Sequence, residues 1–261
     1  MRRVLVYDDT EQLSEAVALA FESHLAGVFA STDAPVHIAL TGGSMGIAAL
    51  RAIAALGPKA IDWSRAHLWW GDERWLPAGD AERNEVQATQ ALLDHIQIPE
   101  TNIHRCASSD SGLSLDEAAE AYAAELGSFD VNGWGHPAFE LIFLGVGPDG
   151  HIASLFPHRS GIEITDRPVI AVHDSPKPPP ERISLTRPVL NSAAHVWLVL
   201  AGADKAAALG LALAGASREE VPAAGIKGRV ETVYFVDREA AQSVPANVTV
   251  RYSDADRVGR D

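Results

Sequence analysis

Residues 139–157 read FELIFLGVGPDGHIASLFP. Phe139–Val146 is the most apolar run in the chain, and a short run of this kind closed by glycine predicts a central strand. Beyond it Gly145, Gly147 and Gly150 formally match G-x-G-x-x-G, the dinucleotide-binding pattern. Two features argue against that reading. Asp149 sets a carboxylate where a pyrophosphate would lie, and Pro157 stops any following helix after about two turns. What remains is a glycine-loosened loop at a strand end that displays Asp149 and His151. Imidazole titrates near neutral pH, so a histidine here can serve as a general base, with the carboxylate orienting it. The same two residues also suit a hydrogen-bonded turn. Zinc is not indicated, because His158 is the next ligand type and it lies beyond Pro157.

Working outward, apolar runs alternate with helical patterns along most of the chain. Strands are expected at Val4–Tyr7, Val36–Leu40, His67–Trp70, Ile103–Cys106, Val169–Val172, Arg182–Leu185, His195–Ala201 and Thr232–Val236. Helices are expected after a Thr10 cap, from the glycine turn at 42–43 to Leu56, near Arg83–His95, over Ser114–Leu126 and over Ala203–Leu213. Such alternation implies an α/β fold: a mostly parallel sheet with helices on both faces. Trp69 and Trp70, adjacent in one strand, should face opposite sides of it. No composition break divides residues 1–261, so a single domain is expected, with a loosely held tail after about residue 245. Ligands of such sheets bind in the loops at the carboxyl ends of the strands.

The 261 residues carry 21 Lys+Arg against 35 Asp+Glu, a net charge of −14. That balance disfavours nucleic acid and anionic membrane as partners, since binding phosphates needs a basic footprint. An anionic substrate would require a few cations gathered in one pocket. Cys106 is the single cysteine, so no intrachain disulfide can form; it reads as a buried small hydrophobe. The start, MRRVLVYDD, is too short and too soon acidic for a signal-peptide core, and no apolar run of about 18 residues is apparent. A cytoplasmic protein is expected.

Three further stretches could bind an anion. Thr41-Gly42-Gly43-Ser44 lies between a strand and a helix, where glycines admit close backbone approach and the helix start presents free N–H groups. It lacks the Gly-Lys-Ser/Thr ending of a P-loop, and Ser44 could equally be an ordinary N-cap. Gly71-Asp72-Glu73-Arg74 puts three charges after an apolar strand: either a solvated turn, or Arg74 held toward a cleft by a carboxylate. Arg182 follows the proline loop SPKPPPE, and Lys205, one of only four lysines, lies near a helix start, where a cation opposes the dipole unless an anion is present. The proline loop itself reads as a surface connection or as a border of the site.

TGGS at 41–44, GDER at 71–74, GVGPDGHIASLFP at 145–157, RISLTRPVLNSA at 182–193 and GADKAAAL at 202–209 together resemble the 6-phosphogluconolactonase family, within the glucosamine-6-phosphate isomerase/deaminase-like superfamily. The deaminase branch shares the DGH core but typically follows it with AFNEP, where this chain has ASLFP. The resemblance implies a Rossmann-like fold and hydrolysis of 6-phospho-D-glucono-1,5-lactone in the oxidative pentose phosphate pathway, without cofactor or required metal. It implies His151 as the general base that activates water, with Asp149 beside it. It implies anion binding by Arg74, Arg182 and Lys205, helped by the amides of Gly42, Gly43 and Ser44. The expected partner is a small sugar-phosphate lactone, acted on by a monomer or small homo-oligomer. An amino-sugar-phosphate isomerase/deaminase and a non-catalytic sugar-phosphate sensor are the competing readings.

Overall fold

The computed structural model describes residues 2–57, 61–244 and 249–251. Ten strands occur among them: β1 (Arg2–Tyr7), β2 (Val36–Leu40), β3 (Ala66–Trp70), β4 (Asp72–Arg74), β5 (Phe139–Gly145), β6 (Val169–Val172), β7 (Arg182–Leu185), β8 (His195–Leu200), β9 (Glu231–Asp237) and β10 (Thr249–Arg251). Seven form one sheet in the order β10-β1-β9-β8-β5-β2-β3, parallel at every pairing. The other three make a small antiparallel sheet, β4-β7-β6.

Helices cover both faces of the large sheet. On one face lie α1 (Thr10–Ser31), α2 (Gly43–Ala55) and α3 (Asn84–Ala91), packed on Leu5, Ile38, Leu68, Trp70, Phe143 and Trp197. On the other lie α4 (Leu115–Ser128), α5 (Arg187–Ser192), α6 (Ala206–Ala214) and the small sheet, packed on Val4, Ala39, Trp69, Leu144, Val196 and Tyr234. Alternating strand residues therefore enter opposite cores, as the two-residue period of a strand demands. Trp69 and Trp70 do so, each almost wholly buried.

Local chemistry sets the helix ends. Ser114 and Glu117 close a reciprocal capping box on α4. Asp9 rather than Thr10 caps α1, accepting from Gln12 N–H at 2.9 Å. Leu13, Val17, Phe21 and Leu25 form its buried stripe at every fourth residue. Contrary to the sequence expectation, this helix is long and apolar enough to cross a membrane by length and composition. Here the stripe is spent on the sheet.

Other expectations need correction. Ile103–Cys106 is no strand; Ile103 makes a single bridge to Leu68. The GDER turn is instead strand β4, because Glu73 and Arg74 pair with β7. The helix expected over Ala203–Leu213 divides into a 3-10 turn at Ala203–Lys205 and α6, and that near Arg83–His95 into α3 and a 3-10 turn at Leu93–His95. Helix α5 and strand β10 were not expected. Of the tail, residues 249–251 pair with β1, while 245–248 and 252–261 lie outside the described residues.

From β2 the chain moves to β3 on one side, and later to β5 on the other. Connections leaving neighbouring strands in opposite directions open a crevice outside their carboxyl ends. The site is built there.

Candidate active site

The strand ends converge on one cleft of about 310 Å³. Gly42, Gly43, Ser44, Arg74, His151, Arg182 and Lys205, the last of them 163 positions from the first, all line it. Asp149 stands directly behind His151, its Oδ1 2.6 Å from His151 Nδ1.

The loop after β5 is shaped around that pair. Gly147 N–H donates to His151 O at 2.9 Å, and Gly150 N–H donates to Gly147 O at the same distance, folding residues 147–151 into a tight turn. Gly150 takes a left-handed φ of 81°. A Cβ on Gly147 would lie 1.9 Å from His151 Nδ1 and 2.5 Å from Asp149 Oδ1, so only glycine leaves room for the contact. The imidazole lies against the Phe156 ring, 4.6 Å between centroids, and the Arg182 guanidinium sits 5.6 Å from that ring's centre. Partial burial opposes ionisation of Asp149, but hydrogen bonds and charge from His151 and Lys177 outweigh it and hold the carboxyl far below its ordinary range. With Asp149 accepting at Nδ1, the tautomer that fits leaves Nε2 as the free base nitrogen.

The opposite wall is the start of α2. Gly42 is the N-cap and has no side chain to offer; Ser44 lies inside the first turn instead of capping it. The first turn holds no acidic residue, so its amide donors and the positive end of the dipole face the cleft. Gly43 enters the helix at φ 79°. A Cβ at Gly42 would lie 2.0 Å from Asn84 Oδ1, which fixes glycine there by close packing. Thr41 Oγ1 accepts from Gly145 N–H at 3.1 Å and ties the two glycine turns together.

Cations complete the rim. Arg74 and Arg182 are directly opposed across β4 and β7 and both face the cleft. Like charges opposed on a sheet repel, an arrangement that favours an anion beside them. Asp72 moderates it, with Oδ2 4.0 Å from Arg182 and accepting from Ser154 Oγ at 2.7 Å. Among the described residues Lys205 pairs only with its neighbour Asp204, at 2.8 Å. Glu73 points the other way, buried, and accepts the backbone N–H groups of Asn84 and Glu85 at 2.7 and 2.9 Å; it serves as the cap of α3. Burial pushes its carboxyl up to about 7 against the pull of Arg83 and these donors.

One lining residue escaped the motif reading. Lys177 of the proline loop places Nζ 3.1 Å from Asp149 Oδ1 and 3.2 Å from His151 Nδ1. The loop thus borders the cleft, pinned by Arg182, which donates to the carbonyls of Lys177, Pro178 and Pro179. Two faint signals in the sequence point to Lys177: the rarity of lysine, one of four, and its place in a proline loop that could border the site.

A parallel α/β sheet with a cation-rich cleft and a carboxylate-backed imidazole at its carboxyl edge defines the class of protein. The chain belongs to the glucosamine-6-phosphate isomerase/6-phosphogluconolactonase family, whose model matches residues 8–235. It is 46% identical to a 6-phosphogluconolactonase of Streptomyces coelicolor, over 94% of this chain and 96% of that one, and 42% identical to one of Mycobacterium leprae, over 93% and 98%. The solved 6-phosphogluconolactonase from Leishmania guyanensis superposes with a TM-score of 0.81 at 26% identity, covering 94% of this chain and all of that one. A solved monomeric glucosamine-6-phosphate deaminase, at 19% identity and a TM-score of 0.74, shares the fold.

Proposed function

We propose that this chain hydrolyses 6-phospho-D-glucono-1,5-lactone to 6-phospho-D-gluconate, a step of the oxidative pentose phosphate pathway carried out in the cytoplasm. The observation that carries the reading is the meeting, in one cleft, of a base backed by Asp149 with four cations and an uncapped helix start, in a chain whose net charge is −14. Relatives spanning nearly the whole chain are named for that hydrolysis.

His151 Nε2 takes a proton from water as the water oxygen bonds to the lactone carbonyl carbon. The carbonyl becomes a tetrahedral oxyanion, and Asp149 stabilises the imidazolium that forms. Collapse breaks the bond from that carbon to the ring oxygen, and His151 returns the proton to the departing oxygen. Arg74, Arg182, Lys205 and the amides of Gly42, Gly43 and Ser44 hold the phosphate and the oxyanion between them. Phosphate binding, remote from the reacting carbon, positions the ring. Lys177 shares Asp149 with His151 and fixes the carboxylate from the open side.

His151→Ala should lower kcat on freshly made lactone by roughly 10²–10⁴-fold, after subtraction of spontaneous opening, with little change in KM. Full activity in that variant would remove His151 from the mechanism. Ammonia release from glucosamine 6-phosphate by the unaltered protein would favour the deaminase reading instead.

A further inference from the structure

At the amino-terminal edge of the sheet, away from the cleft, three metal-ligand side chains from three distant segments meet. His24 comes from α1, Glu140 from the start of β5 and His195 from the start of β8. Their ligand atoms all lie within 4.8 Å of one another. His24 Nε2 is 2.8 Å from Glu140 Oε1, and His195 Nε2 is 3.7 Å from the same oxygen. The two rings meet edge to face, 4.5 Å between centroids.

Backbone irregularity supplies the carboxylate. His37 of β2 pairs with Phe139 and Ile38 pairs with Leu141, so Glu140 is an extra residue in β5. The insertion breaks the alternation: Phe139 enters the core shared with Ile142 and Leu144, while Leu141 enters the opposite one. Glu140 is thereby turned to the α1 face, where His24 and His195 stand. Bulges commonly re-aim a side chain in this way. An ordinary ion pair accounts for His24 and Glu140 but not for His195, since 3.7 Å is too long for a hydrogen bond and no hydrogen bond engages its ring among the described residues. Glu231, opposite His195 on β9, is held by Arg3 at 2.7 Å.

We infer that His24 Nε2, Glu140 Oε1 and His195 Nε2 form a binding site for a zinc-class divalent transition-metal ion. Two imidazoles and a carboxylate suit zinc and its neighbours over calcium or magnesium, which prefer all-oxygen shells. Tetrahedral zinc with ligands near 2.1 Å separates them by roughly 3.4 Å, between the 2.8 and 3.7 Å observed here. The side chains are 19–25% exposed, which leaves the fourth position open to water. The ion would tie α1 to the starts of two central strands, and its binding does not depend on the function proposed for the cleft.

The test uses the full chain, freed of any affinity tag and of metal by chelation, and titrated with Zn²⁺ by calorimetry. One ion per chain is expected, with Glu140→Gln and His195→Gln each weakening binding at least tenfold and Mg²⁺ giving no heat. Zn²⁺ should raise Tm in the unaltered protein and not in either variant, a readout that holds even if a variant is less stable. Co²⁺ should give the intense visible absorption of a tetrahedral complex. His151→Ala should bind Zn²⁺ as the unaltered protein does. Equal binding by the unaltered protein and both variants, no binding at all, or loss of binding in His151→Ala would each overturn the inference.

Discussion

The two ends of the same four strands are built on opposite plans. β2, β3, β5 and β8 begin at or beside His37, His67, Glu140 and His195, and lead into Thr41–Ser44, Gly71–Arg74, Gly145–His151 and Ala201–Lys205. At the amino end most polar groups satisfy one another. Trp69 Nε1 donates to His37 Nδ1 at 3.1 Å, His67 and His104 share a hydrogen bond at 2.9 Å, and His104 meets Glu125 at 2.7 Å, with Trp69 stacked on His104. At the carboxyl end glycines replace side chains, the helix start is uncapped, and cations face one another over an open cleft. A group satisfied within the fold contributes stability; one left unsatisfied at a strand end is available to a ligand. Substitutions at the two ends should therefore separate: those at the carboxyl end should change kinetics, and those at the amino end should change stability.

After His151→Ala itself, the largest effect should come from Gly147→Ala. The added methyl collides with His151 and Asp149, so kcat should fall nearly as far as in His151→Ala, by two or more orders of magnitude, with Tm lowered only slightly. Retained activity would show that the Asp149–His151 contact is dispensable. Next, acid should act on the amino end. Burial, with His67 and His104 adding to it, pushes the His37 imidazole down from 6.5 to about 3. Below pH 6.5 the unfolded chain binds a proton that the folded protein refuses, so stability present above that pH is lost as pH falls, by about 1.4 kcal/mol per unit. Denaturant midpoints at pH 7, 5 and 4 should fall more steeply in the unaltered protein than in His37→Gln, which keeps an acceptor for Trp69. Parallel curves would refute the role of His37.

At the carboxyl end, Lys205→Met should raise KM roughly tenfold, the loss of one charged contact of about 1.5 kcal/mol, without moving Tm. A fall in kcat alone would place Lys205 with the reacting carbon instead of the phosphate. The smallest effect is expected for Lys177→Met: a few-fold lower kcat with KM nearly unchanged, because Asp149 keeps its bond to His151. A Tm change without a kinetic one would make Lys177 a loop anchor only.

Much of this architecture was legible beforehand. Val36–Leu40, Val169–Val172 and Arg182–Leu185 were bounded correctly by apolar runs and their punctuation, and the opposite facing of Trp69 and Trp70 followed from strand period. β4 and Ile103–Cys106 elude a sequence reading for one reason: a short segment is a strand only where a partner pairs along it; the partner of β4 lies about 110 residues away, and Ile103 has a single bridge to Leu68. Lys177 sits in a proline loop with no motif, and Asp72 and Asn84 act through contacts that no spacing encodes.

Sequence alone determined the alternation of strands and helices, the glycine turns after β2 and β5, and the residue types that wait at those turns, because hydrophobic period and glycine's conformational freedom operate within a few residues. Only the tertiary structure decided that Lys177 reaches Asp149, that Arg74 faces Arg182, and that a bulge turns Glu140 toward His24 and His195. Each depends on register between segments remote in the chain, which only the packed sheet fixes.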